Sequence, residues 1–198
     1  MTTVVVPFAG SEGKTRLDAS RSTRRELSVA MLADVLAAAV VVGRTLVVTA
    51  DADGVAVARD AGADAATDPG GGQGAAVAAA LELTGSDRVL VVNADLPCTV
   101  PADLRALIAA IPSHGLVLVE ALDGTTNALG LSAREIFEPL YGPDSANRFR
   151  ALPVETVAIA VPNLAEDVDT LADLERLQLR CGPRTQAALA ALSAGTAP

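Results

Sequence analysis

Short apolar runs alternate with longer segments of helical spacing as far as Val119. Runs such as Val4–Val6 and Val89–Val92 have the length of buried strands. The longest helical segment runs from Thr23 to about Val40, and Thr23 begins a capping box. Strands that alternate with helices form a mostly parallel sheet covered on both faces. The sequence therefore predicts an α/β fold, a three-layer α/β/α sandwich with a mostly parallel sheet.

The second part of the chain follows a less regular pattern. We expect strands at Thr125–Leu131 and Val154–Ala160, a short helix at Ala133–Leu140, a helix capped by Asp144 or Ser145 that runs through Leu152, and a final helix from Thr170 to about Leu179. Residues 1–181 are interpreted as one domain. Residues 182–198 are interpreted as an Ala-rich C-terminal tail, in which residues 187–198 are expected to fray.

Composition excludes several classes of protein. The 198 residues suffice for one buried core, and the net charge of −9 argues against a nucleic-acid partner. No apolar run approaches the ~18–20 residues of a membrane span. Cys98 and Cys181 are too few and too far apart in sequence for a disulfide framework or a zinc site. We therefore expect a cytoplasmic protein with free thiols that binds neither nucleic acid nor membrane.

Three aspartates are candidate metal ligands. Asp95 follows the apolar run Val89–Val92, and Pro97 stops that strand. The carboxyl ends of parallel strands are where such sheets bind ligands. Asp167 and Asp169 are separated by one residue, so in extended backbone both side chains point the same way. Mg²⁺ prefers such hard oxygens together with substrate phosphates. The alternatives are that Asp95 caps a turn and that the pair caps the last helix.

Two glycine-containing loops are candidates for nucleotide binding. The loop after the first strand combines Gly10 and Gly13, which allow close approach of backbone N–H groups, with the cations Lys14 and Arg16. Its spacing is not that of a Walker loop, and an ordinary surface loop is the alternative. The run Gly70–Gly74 opens a helix and could wrap a base or a sugar. A flexible linker is the alternative for that run.

A fourth group of residues could hold a small acid or phosphate. The stretches Gly124–Asn127 and Gly142–Ser145 offer hydroxyls, amides and glycine backbone without adding charge. These residue types also make ordinary turns, which is the alternative interpretation.

Taken in order, these motifs resemble a known family. They are Gly13–Leu17 after Val6-Pro7, Pro69–Gly72, Ala94–Pro97, Asp123–Leu129, Tyr141–Ser145 and Asp167–Thr170. The chain resembles, from Val4 to about Leu177, the CofC/FbiD-type guanylyltransferases of deazaflavin coenzyme F-420 biosynthesis. These belong to the MobA-like nucleotidyltransferase group, which includes the molybdenum-cofactor guanylyltransferase. One departure is that the family has a Lys two residues after the first-strand Pro, where this chain has Ala9.

The resemblance implies a nucleotide-diphospho-sugar-transferase-like fold and a Mg²⁺-dependent reaction. GMP passes from GTP to phosphoenolpyruvate or 2-phospho-L-lactate, with release of pyrophosphate. It assigns metal binding to Asp95, Asp167 and Asp169, and catalysis to Asp95, Lys14 and Arg16. Nucleotide binding falls to Pro7, Gly13, Lys14, Arg16, Gly70, Gly71 and Gly72, and acceptor binding to Thr126, Asn127, Gly142 and Ser145.

Two other functions and the assembly state are left open by the sequence. One rival is a nucleotidyltransferase that acts on molybdopterin or a sugar phosphate. The other is a nucleotide-binding protein without turnover. The choice of acceptor and of nucleotide is open as well, and a homodimer is one alternative for the assembly.

Overall fold

The computed structural model describes residues 2–10, 17–85 and 88–195. The strands of this part are β1 (Thr3–Pro7), β2 (Arg44–Val48), β3 (Asp64–Ala66), β4 (Val89–Val92), β5 (Gly115–Glu120), β6 (Thr126–Leu131) and β7 (Glu155–Ala158). Its α-helices are α1 (Arg21–Ala39), α2 (Ala52–Ala61), α3 (Gln73–Leu83), α4 (Pro101–Ala110), α5 (Ser145–Arg150), α6 (Pro162–Ala165), α7 (Leu171–Leu177) and α8 (Pro183–Gly195).

The strands form one sheet in the order β3-β2-β1-β4-β6-β5-β7. β6 is antiparallel to both of its neighbours, and the other pairs are parallel. β6 therefore begins at the edge of the sheet where β4 ends. Val92 pairs with Ala128, and the N–H of Asn93 donates to the carbonyl of Asn127 at 3.0 Å. This antiparallel strand brings the start of the Thr126 segment beside the segment that carries Asp95.

Apolar side chains cover both faces of the sheet, as the three-layer prediction requires. Val4 and Val6 lie in a cluster with α1, α2 and α4, whereas Val5 lies in a second cluster with α3 and α5. Successive strand residues point to opposite faces, so one short strand serves both clusters. The predicted fold class is confirmed. In the part of the chain that the structure describes, no helix is both long and apolar enough to cross a membrane.

The C-terminal segment forms a packed helix as far as Gly195. Residues 183–195 form α8, which packs against α1, and Leu189 and Leu192 contact a third apolar cluster around Met31. The buried carboxylate of Asp34 in α1 accepts the backbone N–H groups of Arg184 and Thr185 at 3.0 and 2.8 Å. These two N–H groups belong to the first turn of α8, where backbone donors have no partner within the helix.

The third cluster also brings the two cysteines together. Cys98 and Cys181 are both buried free thiols of this cluster, and each shifts the pKa of the other. The N–H of Gly182 donates to the carbonyl of Pro97 at 2.7 Å, which holds the two segments side by side. Burial and the neighbouring thiol raise the pKa of Cys181. The expected free thiols are thus present. Their contact could not be predicted because the two residues are far apart in sequence.

Three predicted element boundaries differ from the structure. α1 begins at Arg21 because the hydroxyl of Ser20 accepts the N–H of Thr23, so the box starting at Thr23 is not the cap. The helix expected at Ala133–Leu140 is only a 3₁₀ turn at Arg134–Ile136. Pro139 explains this, since it lacks an N–H and disfavours helical backbone in the residue before it.

The helix expected to run through Leu152 ends at Arg150. The expected N-cap residue is in place, but its side chain does not cap the helix. Asp144 occupies the N-cap position with a left-handed φ of 60° and makes no side-chain cap bond. Its carboxylate instead accepts the side-chain amide of Asn147 at 2.7 Å.

Candidate active site

Asp95, Asp167 and Asp169 meet at the carboxyl edge of the sheet. Asp95 follows β4, and the other two lie between α6 and α7. The N–H of Val168 donates to the carbonyl of Asp95 at 3.0 Å, which joins the two segments through their backbones. One carboxylate oxygen from each aspartate lies within 4.8 Å of the others, and all three residues are half-buried. The predicted cluster of acids therefore exists.

The alternative role of Asp167 and Asp169 as helix caps is excluded. The hydroxyl of Thr170 accepts the N–H of Asp173 at 3.2 Å, and the carboxylate of Asp173 accepts the N–H of Thr170 at 2.9 Å. This reciprocal box caps α7 without either residue of the pair.

The electrostatics of the cluster suit a cation. Burial raises the pKa of Asp167, and the nearby charge of Asp95 adds to the effect. A hydrogen bond from Asn127 acts in the opposite direction and lowers that pKa. Three hard oxygens at this separation match the ligands that a small divalent cation takes. A divalent cation would also relieve the repulsion between the carboxylates. The residues present therefore fit a divalent metal.

A cavity of about 280 Å³ lies beside the three aspartates. Pro7 at the end of β1 and Gly10 in the loop after it form one part of the wall. Gly72 and Gln73 at the start of α3 form another part, and Asp95 a third. The other wall residues are Phe8, Ala9, Ser28, Met31, Asp68, Ala76, Asn93, Ala94 and Asp169. The cavity is thus bounded by both loops that the sequence assigned to nucleotide binding.

Only some of the predicted nucleotide-binding residues that the structure describes line the cavity. Pro7 and Gly72 line the cavity, while Gly70 and Gly71 are exposed in the turn that leads to it. All three glycines from Gly70 to Gly72 have φ between 82° and 90°, a conformation that disfavours other residues. Gly13, Lys14 and Arg16 lie outside the described residues.

Three of the predicted acceptor-binding residues come together at the starts of β6 and α5. The hydroxyls of Thr126 and Ser145 are hydrogen-bonded at 3.1 Å, and the two residues are 1% and 0% exposed. Their contact fixes the start of β6 against the start of α5. Gly142 is exposed in the adjoining turn at φ 110°, and its carbonyl accepts the N–H of Ser145 at 3.1 Å. None of these three is part of the cavity wall described above.

Asn127 has a contact that the sequence did not predict. Its side chain is 1% exposed and donates to the Oδ1 of Asp167 at 3.2 Å. The side chain of Asn93 is hydrogen-bonded to that of Asn127, and the side chain of Gln73 is hydrogen-bonded to that of Asn93. Asn93 and Gln73 both line the cavity, and neither was singled out from the sequence. Asn93 carried a usable signal, since it is a polar residue at the end of a buried strand and two positions before Asp95.

Comparison with protein families decides the relationship of the chain. Residues 2–147 match the family described as CofC-like guanylyl transferases. The chain belongs to this family. The matched region includes Asp95 and the predicted acceptor residues, and it ends before Asp167 and Asp169. Two of the three clustered aspartates therefore lie in a segment beyond the family match.

Curated relatives extend the CofC-like match over most of the chain. A phosphoenolpyruvate guanylyltransferase of Conexibacter woesei is 39% identical over 186 residues, covering 86% of this chain and 83% of the relative. A protein of the same name from Streptomyces coelicolor is 37% identical over 204 residues, covering 96% of each chain. Both alignments include most of the length on both sides, so the relationship concerns the whole fold.

Solved structures support the fold of this CofC-like chain at much lower identity. A protein described as a nucleotide-diphospho-sugar transferase from Desulfovibrio desulfuricans superposes with a TM-score of 0.76 at 17% identity, covering 98% of this chain and 95% of the other. A nucleotidyl transferase from Methanothermobacter gives a TM-score of 0.61 at 14% identity, covering 89% and 95%. These likenesses confirm the nucleotide-diphospho-sugar-transferase-like architecture.

Proposed function

We propose that this protein transfers GMP from GTP to the phosphate of a three-carbon phospho-acid and releases pyrophosphate, as a step of deazaflavin coenzyme F-420 biosynthesis. One observation carries the proposal: three carboxylates converge beside a cavity that both predicted nucleotide-binding loops border, and Asn127 of the predicted acceptor set contacts one of these carboxylates. Phosphoenolpyruvate is the preferred acceptor because curated relatives bear that name. 2-Phospho-L-lactate is the second choice.

The reaction needs positioning and charge stabilisation rather than a protein nucleophile. An oxygen of the acceptor phosphate attacks the α-phosphorus of GTP, and the bond from that phosphorus to the bridging oxygen breaks. Pyrophosphate leaves with the electron pair of the broken bond. Holding the two phosphates in line converts a bimolecular encounter into a local one and removes much of the entropic barrier.

Mg²⁺ is the proposed cofactor, held by Asp95, Asp167 and Asp169. When bound, it would neutralise charge on the reacting phosphates. Lys14 and Arg16 are proposed to contact the triphosphate, which adds positive charge where negative charge accumulates. Pro7, Gly13 and the Gly70–Gly72 turn are proposed to line the nucleotide side.

The acceptor is proposed to bind at Gly142, with Thr126, Asn127 and Ser145 shaping its pocket. Because the hydroxyls of Thr126 and Ser145 are buried against each other, they hold the turn in place. The exposed backbone of Gly142 then approaches the ligand without a side chain in the way.

Pyrophosphate release tests the proposed reaction. We expect release with Mg²⁺, GTP and phosphoenolpyruvate together, slower release with 2-phospho-L-lactate, and none with pyruvate or lactate. A pocket distinguishes close shapes by only about 1–3 kcal/mol, so the two phospho-acids should be separated partially, whereas acids without the phosphate lack the attacking group. ATP, CTP and UTP are run in parallel as nucleotide controls. Preference for a sugar 1-phosphate or molybdopterin, or equal release without acceptor, would contradict the proposal.

Location and assembly are secondary parts of the proposal. We place the enzyme in the cytoplasm, which agrees with the free thiols Cys98 and Cys181. A homodimer is proposed as an assembly that sedimentation analysis can test directly.

A further inference from the structure

A row of three side-chain amides runs from the cavity wall to the aspartates. The Nε2 of Gln73 donates to the Oδ1 of Asn93 at 2.6 Å. The Nδ2 of Asn93 donates to the Oδ1 of Asn127 at 3.3 Å and to the backbone carbonyl of Thr126 at 3.4 Å. The Nδ2 of Asn127 then donates to the Oδ1 of Asp167 at 3.2 Å. The row joins the start of α3, the end of β4 and the start of β6.

The direction of these hydrogen bonds is set by the carboxylate at one end. An ionised Asp167 can only accept, so Asn127 must turn its NH₂ group toward it. The carbonyl oxygen of the Asn127 amide then faces Asn93, which must donate in turn. The oxygen of Asn93 consequently faces Gln73, whose NH₂ group completes the row. Every amide therefore has one orientation that satisfies all of its partners.

The backbone does not require polar side chains at these positions. The N–H of Asn93 already donates to the carbonyl of Asn127, which continues the β4–β6 ladder whatever the side chains are. Their neighbours in the ladder, Val92 and Ala128, are apolar and buried. Burying amides is unfavourable unless each is hydrogen-bonded. The row therefore has a purpose other than strand pairing.

We propose that Asn127 and Asn93 are positioning residues for the metal site. Asn127 orients the carboxylate of Asp167, Asn93 fixes the orientation of Asn127, and the amide of Gln73 fixes that of Asn93. The inference rests on the proposed divalent-metal site. Partners of this kind fix the geometry of a ligand, and their loss typically weakens metal binding by about 10–100-fold.

The substitution Asn93→Asp separates positioning from simple electrostatics. A carboxylate at this position keeps the size of the side chain and can still accept from Gln73, but it cannot donate to Asn127. Asn127 must then turn its oxygen toward Asp167. We expect the Kd for Mn²⁺ in the nucleotide-free protein to rise about tenfold. An added negative charge acting only through space would tighten cation binding, so the two effects have opposite signs.

Asn163→Asp is the matched control. Asn163 in α6 is half-buried and donates to the carboxylate of Asp103 at 3.0 Å, so its replacement makes the same chemical change away from the metal site. The Mn²⁺ Kd of this variant should stay within about twofold of the wild-type value. Electron paramagnetic resonance of free Mn²⁺ measures both proteins under the same conditions, and thermal unfolding verifies that each is folded.

Gln73→Glu provides a second variant at the far end of the row. Glu accepts but does not donate, so Asn93 must reverse, and Asn127 must reverse after it. We expect the same direction of change in Mn²⁺ affinity although this side chain does not contact Asp167. In the pyrophosphate assay the Mg²⁺ concentration for half-maximal rate should rise in both variants, while saturating Mg²⁺ restores most of kcat.

The outcomes distinguish this inference from the function on which it rests. Weaker Mn²⁺ binding in Asn93→Asp and Gln73→Glu, with Asn163→Asp unchanged, supports the positioning role. Unchanged or tighter binding in a folded Asn93→Asp protein overturns that role and leaves the metal site standing. Wild-type protein that binds no Mn²⁺ overturns the metal site, and the positioning role with it. If Asn93→Asp does not fold, an unchanged Kd in Gln73→Glu overturns the inference alone.

Discussion

Asp95→Asn is expected to reduce kcat/KM by about a thousandfold, equivalent to about 4 kcal/mol of transition-state stabilisation. Asn keeps the size of the side chain but removes one of the three negative charges that face the metal. Asp95 is half-buried at the edge of the sheet and contributes little to the apolar core, so the fold should be retained. Steady-state pyrophosphate release at several Mg²⁺ concentrations measures the loss.

Asp103→Asn controls for the loss of a carboxylate. Asp103 lies in the first turn of α4, where its carboxylate accepts the N–H of Val100 at 3.0 Å. Asn can still accept that bond, and Asp103 is not part of the proposed metal cluster. Asp103 is half-buried, and Asn can accept both this bond and the one from Asn163 through a single oxygen, so the variant should retain activity within about threefold. Near-normal turnover of Asp95→Asn at saturating Mg²⁺ would contradict the metal assignment.

Gly142→Ala is expected to raise the KM for the acceptor about tenfold, equivalent to about 1.4 kcal/mol, and to leave the Kd for GTP nearly unchanged. The φ of 110° at Gly142 is unfavourable for any residue with a Cβ atom. An Ala must therefore distort the turn where the acceptor is proposed to bind. The acceptor KM comes from initial rates, and the GTP Kd comes from calorimetry without acceptor.

Gly62→Ala is the matched control for this change. Gly62 has a φ of 78° at the end of α2, and a Cβ placed there meets nothing within 4 Å. Gly62→Ala carries a backbone strain of about 1–2 kcal/mol. Gly142→Ala is strained as well, so both substitutions lower stability. Only Gly142→Ala should change the acceptor KM. Equal effects of the two variants, or an effect of Gly142→Ala on GTP alone, would remove Gly142 from the acceptor site.

The alternation of strands and helices was enough to predict the fold class, because a buried strand needs helices on both faces. It could not predict that β6 runs antiparallel between β4 and β5. That reversal depends on pairing between distant segments, and it is what brings Asn127 beside Asp167. The contact between Asn127 and Asp167 was consequently not predicted, and Asn93 was not singled out.

Local rules failed where tertiary contacts supplied the stabilisation. The Ala-rich C-terminal segment has little helix-capping signal of its own, and a carboxylate from α1 provides the cap for α8. The contact between Cys98 and Cys181 likewise joins residues far apart in sequence. The aspartate cluster was predictable because Asp95 follows a buried strand and the other pair has extended spacing. The roles of Lys14 and Arg16 stay predictions.

The central claim is that the α-phosphorus of GTP becomes joined to the phosphate of the acceptor. ³¹P nuclear magnetic resonance of a reaction containing the protein, Mg²⁺, GTP and phosphoenolpyruvate tests it most directly. The account predicts two mutually coupled resonances from a new diphosphate linkage, which appear together with inorganic pyrophosphate. Formation of GDP and inorganic phosphate, or a spectrum that does not change while the protein is folded and Mg²⁺ is saturating, would contradict it.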